Sequence, residues 1–428
     1  MSKLILVTGA TGYVATRLIP ALLSKGYRVR CFVRQPEKLR NRPWKRNVEI
    51  YQGDVLSLET LLSALDGVYA GFYLVHNMSS GKAYREFERS GAHNFSAAAK
   101  KNGLQKIIYL GGLGGSDEFR HMRSRQETGQ ILRQSGVPII EFRSSVIIGS
   151  GSISFEMIRY ITTWLPFIPA PIQTNVPGQP IGIKDLLAYL LSALESQELL
   201  GPIIEIGGPE ALTYPELMVE YAHQCGLVRP KLFLPFFTAT ISAWIADKLT
   251  PVHFSIARPL MEELTAPSII KNKSSSVLFP LIKPSLYSES VKYAIGREEY
   301  LPESPWIDSL VTREPLIGSW VSTLGEGFLI DHREKPMTSL TTTATDLLNG
   351  KKVKEWEIEG IQIGAWVRLK SNRNLPGVLR VEIQHRDGYL MQTAMFDPHG
   401  LTGLLWWYFL HQFHKNQLEK MFNGMNHT

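Results

Sequence analysis

A short apolar run, Lys3 to Thr8, passes directly into Gly9-Ala10-Thr11-Gly12-Tyr13-Val14-Ala15 and then into a stretch with helical spacing of its apolar residues up to Lys25. A glycine at the end of a strand permits a tight turn, and a second lets the backbone approach a bulky anion. A small residue in the third place lets the helix pack close to the strand. The N–H groups at the start of such a helix face any anion held there. Position separates this pattern from an ordinary glycine turn, because it stands between the first strand and the first helix. It reads as a pyrophosphate cradle, with Gly9, Thr11, Gly12, Tyr13 and Val14 placed on a nicotinamide dinucleotide.

The first 150 residues keep to one grammar of a β-branched run, a turn and an amphipathic helix. Strands are expected at Lys3 to Thr8, Arg28 to Arg34, Val48 to Tyr51, Tyr69 to Val75, Lys106 to Leu110 and Pro138 to Arg143. Alternation of this kind implies βαβ units and a parallel sheet with helices on both faces, a Rossmann-like doubly wound α/β domain. From about Ser150 the grammar changes to helices joined by Pro-rich connections, which reads as a helical, substrate-side lobe over residues 151–300 with the parallel sheet finished or nearly so. One of its helices should open at Thr213, with Pro215 early in the first turn and Glu216 closing a capping box. A Pro- and charge-rich stretch, Tyr300 to Pro315, separates off a C-terminal α+β unit, residues 316–428. Its strands are expected around Lys354 to Ile358, Gly364 to Leu369, Val378 to His385 and Tyr389 to Phe396. Asp387-Gly388 marks a hairpin, and a helix from Gly400 to Phe422 closes the unit.

Further residues fall on the carboxyl edge of the expected sheet, where open α/β sheets bind ligands. At the end of the second strand, where a carboxylate would select NAD(H), the chain has Arg34. A guanidinium suits a 2′-phosphate, so NADP(H) is preferred, with NAD(H) as the alternative. Asp54 and Val55 after the third strand are expected near the adenine. His76 after the fourth and Gly111 and Gly112 at the fifth are expected near the ribose and nicotinamide.

The net charge is +7 over 428 residues, and the basic residues are dispersed among acidic ones, which argues against a nucleic-acid stripe. Cys31 and Cys225 are the only cysteines, too few for a disulfide framework or a zinc site, and no metal is expected. The first residues carry no signal-peptide pattern, so a cytoplasmic protein is expected. The apolar run Leu404 to Leu410 falls far short of the roughly 20 residues of a membrane-spanning helix, which leaves peripheral membrane contact open. The aromatic run Trp406-Trp407-Tyr408-Phe409 is read first as a helix face buried on its sheet, and alternatively as a contact for lipid or a quinone-like ligand.

Val7-Thr8-Gly9-Ala10-Thr11-Gly12-Tyr13-Val14, Val33-Arg34, Gly53-Asp54, Tyr73-Leu74-Val75-His76, Tyr109-Leu110-Gly111-Gly112-Leu113-Gly114 and Phe142-Arg143-Ser144-Ser145-Val146 together resemble the atypical short-chain dehydrogenase/reductase proteins, in the group related to NmrA-like regulators and extended, epimerase-like enzymes. Ile181 to Leu186 and Glu205 to Pro209 look like later strands of the extended members. Residues from Gly388 onward resemble a shortened copy of an uncharacterised domain fused to bacterial relatives, with a segment missing between about Ala344 and Trp356. The resemblance implies a Tyr-x-x-x-Lys pair on the helix after the fifth strand. This chain has His121-Met122-Arg123-Ser124-Arg125 there. His121 as proton donor and Arg125 as fixed cation are the candidate catalytic residues. The leading expectation is an NADP(H)-dependent oxidoreductase acting on an apolar carbonyl or conjugated substrate. The alternative, favoured by the missing pair, is a non-catalytic dinucleotide-sensing regulator or assembly factor.

Overall fold

The computed structural model describes residues 2–39, 42–76, 84–114, 120–196, 203–250, 252, 254–272, 274–295, 329–336, 356–362, 366–386, 389–398, 400–409, 416 and 418–419. The chain divides into two compact units: residues 1–159, 168–247 and 252–299 form the first, and 160–167, 248–251 and 300–428 the second.

The first unit opens with β1 (Leu4–Thr8), α1 (Tyr13–Ser24), β2 (Arg28–Val33), β3 (Glu49–Gln52), α2 (Leu58–Ala64), β4 (Ala70–Tyr73), α3 (Tyr84–Lys101), β5 (Lys106–Gly112), α4 (Arg120–Arg133) and β6 (Ile139–Ser144). There follow β7 (Ile147–Ile148), α5 (Ile153–Trp164), β8 (Ile168–Pro171), β9 (Pro177–Gly178), β10 (Ile181–Gly182), α6 (Ile183–Glu195), β11 (Ile203–Ile206), β12 (Leu212–Thr213) and α7 (Tyr214–Gln224). β13 (Lys231–Leu234), α8 (Ala239–Leu249), α9 (Phe254–Glu263), α10 (Ser274–Leu278) and α11 (Tyr287–Ile295) complete it, the ends of α5 from Tyr160 and of α8 from Lys248 being counted with the second unit.

Seven parallel strands lie in the order β11-β6-β5-β4-β1-β2-β3. The sheet is therefore not finished near residue 145: β11 pairs with β6 from Ile203 opposite Glu141 to Ile206 opposite Ser144. Along β1 the side chains alternate between two buried faces. Ile5 and Val7 join α1 and α6 in one core, and Leu4 and Leu6 join α2 and α3 in the other. A sheet covered on both sides has no polar face, which is why its strands are near-continuous apolar runs. The lobe adds three two-stranded pairings, β10 with β7, β12 with β9 and β13 with β8. α7 opens at Thr213 as expected. The Glu216 carboxylate accepts the Thr213 N–H at 2.7 Å and its hydroxyl at 2.8 Å.

Buried charges tie the elements together. The Lys106 ammonium, on β5, donates to the last carbonyls of α6, Ala193 at 2.8 Å and Leu194 at 3.4 Å, where a helix end favours a cation. Burial lowers the affinity of that ammonium for its proton. Glu141 on β6 is 1% exposed and receives Arg133 from α4 and Arg143 Nε at 2.7 Å. A Cβ at residue 129 would collide with the Glu141 carboxylate, so Gly129 makes the room in which this triad forms.

The second unit contains β14 (Leu329–Pro336), β15 (Trp356–Gln362), β16 (Trp366–Ser371), β17 (Gly377–Arg386), β18 (Tyr389–Pro398) and α12 (Gly400–Phe409). They form an antiparallel sheet in the order β14-β18-β17-β16-β15. The Asp-Gly hairpin is borne out by the pairing of Arg386 with Tyr389. β14 was not expected, since Leu-Ile-Asp-His-Arg-Glu-Lys-Pro lacks an apolar alternation. Among the described residues it is an edge strand, hydrogen-bonded to β18 alone, and charged side chains suit an edge. On α12, Trp407 stacks on Phe396 of β18 at 5.4 Å and Trp406 lies 4.9 Å from the same ring, the buried reading of the aromatic run. Phe409 is 81% exposed. The expected linker at Tyr300 to Pro315, the segment 344–355 and most of the helix beyond Phe409 lie outside the described residues.

Glu141→Ala should strip two arginines of their common carboxylate. It is expected to lower the first urea-unfolding transition by about 2–3 kcal/mol, below the full cost of breaking a buried pair because both arginines are partly exposed. A loss under about 0.5 kcal/mol would mean that water already screens the triad.

Candidate functional site

The strand order reverses between β1 and β4, and the crevice at that switch point is where the two strand ends come together. Gly9 has φ +64, and a Cβ there would stand 2.6 Å from the Leu74 carbonyl oxygen after β4. Any side chain would therefore force the two strand ends apart. Gly12 is extended, φ −75, and occupies the N-cap of α1 without a side-chain cap. The first N–H groups of α1 are thereby left to a ligand, which is the arrangement a pyrophosphate requires. Ala15 is 1% exposed beneath the loop.

Two cavities flank this loop, and both are lined by Gly9, Gly12, Leu74 and His76. The smaller, about 180 Å³, runs past Thr11, Val55 and Phe87 to Arg34 and Lys38. The larger, about 340 Å³, runs past Val14, Gly112 and Arg125 to Leu113, Met122, Ile153, Leu260 and Leu264. One half is thus bordered by cations and the other mainly by apolar side chains. Together they form a trough centred on the glycine loop.

The expected residues divide clearly. Gly9, Thr11, Gly12, Tyr13, Val14, Arg34, Val55, His76, Gly112 and Arg125 line the trough. Arg34 sits just past β2 with its guanidinium 5.6 Å from the Phe87 ring. The Tyr13 hydroxyl is buried beside Gly149, its ring lies 3.9 Å from the Arg17 guanidinium, and burial pushes its proton affinity far up. Asp54 does not line either cavity. Its Oδ1 accepts the Leu56 N–H at 2.9 Å, a local turn, and Ser57 caps α2. Gly111 backs onto Tyr109, whereas a Cβ on Gly112 would meet Met122 at 2.8 Å and Arg125 at 3.2 Å. His121 lies in α4, and its side chain falls outside the described residues. Asn94 donates to the Val55 and Leu56 carbonyls at 3.1 and 2.9 Å and so holds the loop after β3, while His93 is exposed.

The sequence reading missed the group that anchors His76. Glu88 of α3 is 5% exposed, accepts the Ser124 hydroxyl, and lies 3.9 Å from His76 Nδ1. On the other edge of the imidazole, Nε2 is 2.9 Å from the Leu110 carbonyl. A carbonyl only accepts, so Nε2 carries a proton and a second proton, on Nδ1, would face Glu88. Burial works to raise the Glu88 carboxyl, but the nearby His76 imidazole, the hydrogen bond from Ser124 and the Arg125 charge hold it below the usual carboxylate range. A signal existed: Glu88 falls on the stripe of α3 that continues through Ala92, Phe95 and Ala99, all buried. Also missed was Glu263 at the end of α9, whose carboxylate lies 3.7 Å from Arg125 Nη1 in the larger cavity.

Comparison with known proteins agrees with this geometry. Residues 9–136 match a family model described as NAD(P)H-binding. A 3 beta-hydroxysteroid dehydrogenase/Delta 5-->4-isomerase of Mycobacterium tuberculosis is 29% identical over 115 residues, 24% of this chain and 30% of that protein. The photosystem II assembly factor Ycf39 of Cyanophora paradoxa is 28% identical over 144 residues, 32% of this chain and 44% of that one. The match thus spans less than half the length of either curated relative. Among solved structures, the Bordetella bronchiseptica enzyme WbmG in complex with NAD and UDP superposes with a TM-score of 0.54 at 14% identity, covering 72% of this chain and 96% of that one. That similarity is one of fold. Among the described residues no cluster of His, Cys, Asp and Glu could hold a metal ion. The trough is built on an NAD(P)-binding domain of Rossmann type, in a chain whose relatives include oxidoreductases and an assembly factor.

Proposed function

We propose that the chain is an NADP(H)-dependent oxidoreductase of the atypical short-chain type, acting on an apolar carbonyl or conjugated substrate. The observation that carries this reading is the trough itself, bordered by Arg34 and Lys38 at one end and by Leu113, Met122, Leu260 and Leu264 at the other. The nicotinamide supplies or takes up the hydride when the cofactor is bound. The loop from Gly9 to Val14 and the open start of α1 hold the pyrophosphate, and Arg34 with Lys38 receives the 2′-phosphate. Gly112 leaves the backbone bare beside Arg125, the fixed cation that would hold the nicotinamide ribose. His121 delivers the proton to the substrate oxygen, and the Glu88–His76 pair keeps the floor of the trough in register. The C-terminal unit is read as the shortened companion domain of bacterial relatives.

A second reading, a dinucleotide-sensing regulator or assembly factor, draws on the missing Tyr-x-x-x-Lys pair and on the relative named as an assembly factor. NADPH absorbance during a screen of apolar ketones, enals and quinones separates the two. Turnover that falls on His121→Ala or Arg125→Ala supports the enzyme. A partner captured only in the presence of NADPH, with no turnover, supports the sensor.

NADPH is expected to bind at least about tenfold tighter than NADH, roughly 1.4 kcal/mol, and Arg34→Asp to erase the difference. Equal affinities of the unaltered chain in calorimetry would overturn the NADP(H) preference. Gly12→Val should abolish binding of either cofactor in a protein that melts as before, and retained affinity would mean that the loop is not the cradle. Glu88 carries a sign that can be checked. Its folded carboxyl is held below the ordinary value near 4.3, so its contribution is complete above that pH and is lost as pH falls through the lower folded value. Glu88→Gln should make the chain less stable at neutral pH and flatten the acid limb of its stability curve. An unchanged limb would show that the pair contributes nothing.

A further inference from the structure

One stretch of the lobe exposes large apolar side chains in series. Phe233 on β13 is 63% exposed, Phe236 in the turn that follows 87%, and Ile241 and Trp244 on α8 42% and 59%. α8 is two-faced: Ala243 and Ala246 are buried against Met157, Ala257 and Met261, while Ile241, Trp244 and Lys248 share the opposite stripe. From Leu232 to Ala246 there is no charged side chain. The flanks are Arg229 and Lys231 on one side and Asp247 with Lys248 on the other, and the Asp247 carboxylate is turned to the Phe254 N–H at 2.7 Å.

We infer that this face, formed by β13, the Phe236 turn and the outer stripe of α8, docks the chain peripherally on an anionic lipid surface. Large exposed apolar side chains set this closely along the chain, rather than scattered singly, mark an interaction site. Its chemistry points to a bilayer interface: phenylalanine and tryptophan at the level of the acyl boundary, lysine and arginine beside them at the level of the headgroups. The charge argues against a second copy of this chain, because a self-paired face would bring two sets of flanking cations together. Apolar contact and basic flanks are weak singly and add to one another, which is how peripheral attachment reaches useful strength without a spanning helix. No helix among the described residues is long and apolar enough to cross a membrane. The inference does not rest on the chain being an enzyme.

The experiment is sedimentation of the full chain with extruded vesicles of phosphatidylcholine, with and without phosphatidylserine. The expected result is binding to the serine-containing vesicles, weakened by salt. Phe233→Ser/Phe236→Ser/Trp244→Ser should lower that binding at least about tenfold, with thermal melt and NADPH affinity unchanged because all three side chains are exposed. Arg229→Glu/Lys231→Glu should remove the preference for serine-containing vesicles. Absence of binding to either vesicle, or undiminished binding of the triple variant, overturns the inference. So does a concentration-dependent dimer that the triple variant abolishes, which would assign the face to a second copy.

Discussion

The backbone of Gly9 lies against the carbonyl of Leu74, and this one approach sets the geometry of the trough. It fixes the distance between the ends of β1 and β4 at the point where the strand order reverses. It also aims α1 so that its uncapped start opens into the crevice. The adjoining parts are arranged around that contact: Arg34 just past β2 on one side, His76 on the other, and Gly112 with Arg125 beyond. A parallel sheet buried on both faces makes the arrangement stiff, because neither strand can shift without disturbing two cores at once.

The ionisable groups inside this framework are paired rather than isolated. Glu141 has two arginines, Lys106 a helix end, Glu88 a histidine and a serine, and Glu382 of the second unit has Arg368 at 2.8 Å. Such pairs add little net stability, since desolvation offsets much of the attraction, but each is costly to break. Their value lies in register. Glu141 joins α4 to β6, and Glu88 joins α3 to the segment after β4, so the helix carrying Arg125 and the strand end carrying His76 are held from opposite sides.

Much of this was legible in the sequence, and the reasons are physical. The βαβ grammar showed because a sheet with two buried faces cannot hide its apolar runs, and the glycine loop showed because its position is as informative as its composition. The hairpin between β17 and β18 announced itself through Asp387-Gly388. Other features left no local trace. The pairing of β11 with β6 was one of them, since the resemblance marked a strand near Glu205 but not its neighbour, and β14 is an edge strand whose polar side chains mask any alternation. Asp54 lines neither cavity and closes its own turn, and in sequence such an aspartate looks the same as one that meets a ligand. Glu88 was overlooked although its place on a buried stripe of α3 was visible, because a single acid in an amphipathic helix reads as solvated. Glu263 reaches Arg125 from a helix more than a hundred residues away, and no spacing rule connects them.

The two cysteines have unequal fates. Cys31 lies within β2, hydrogen-bonded between β1 and β3, and burial raises its thiol to about 12, so at neutral pH it is neither thiolate nor accessible. Cys225, at the C-cap of α7, is exposed. An alkylating reagent therefore meets a folded chain with one exposed thiol. Coupling through that sulfur would join this protein to another molecule, since the second thiol becomes a partner only after the sheet comes apart.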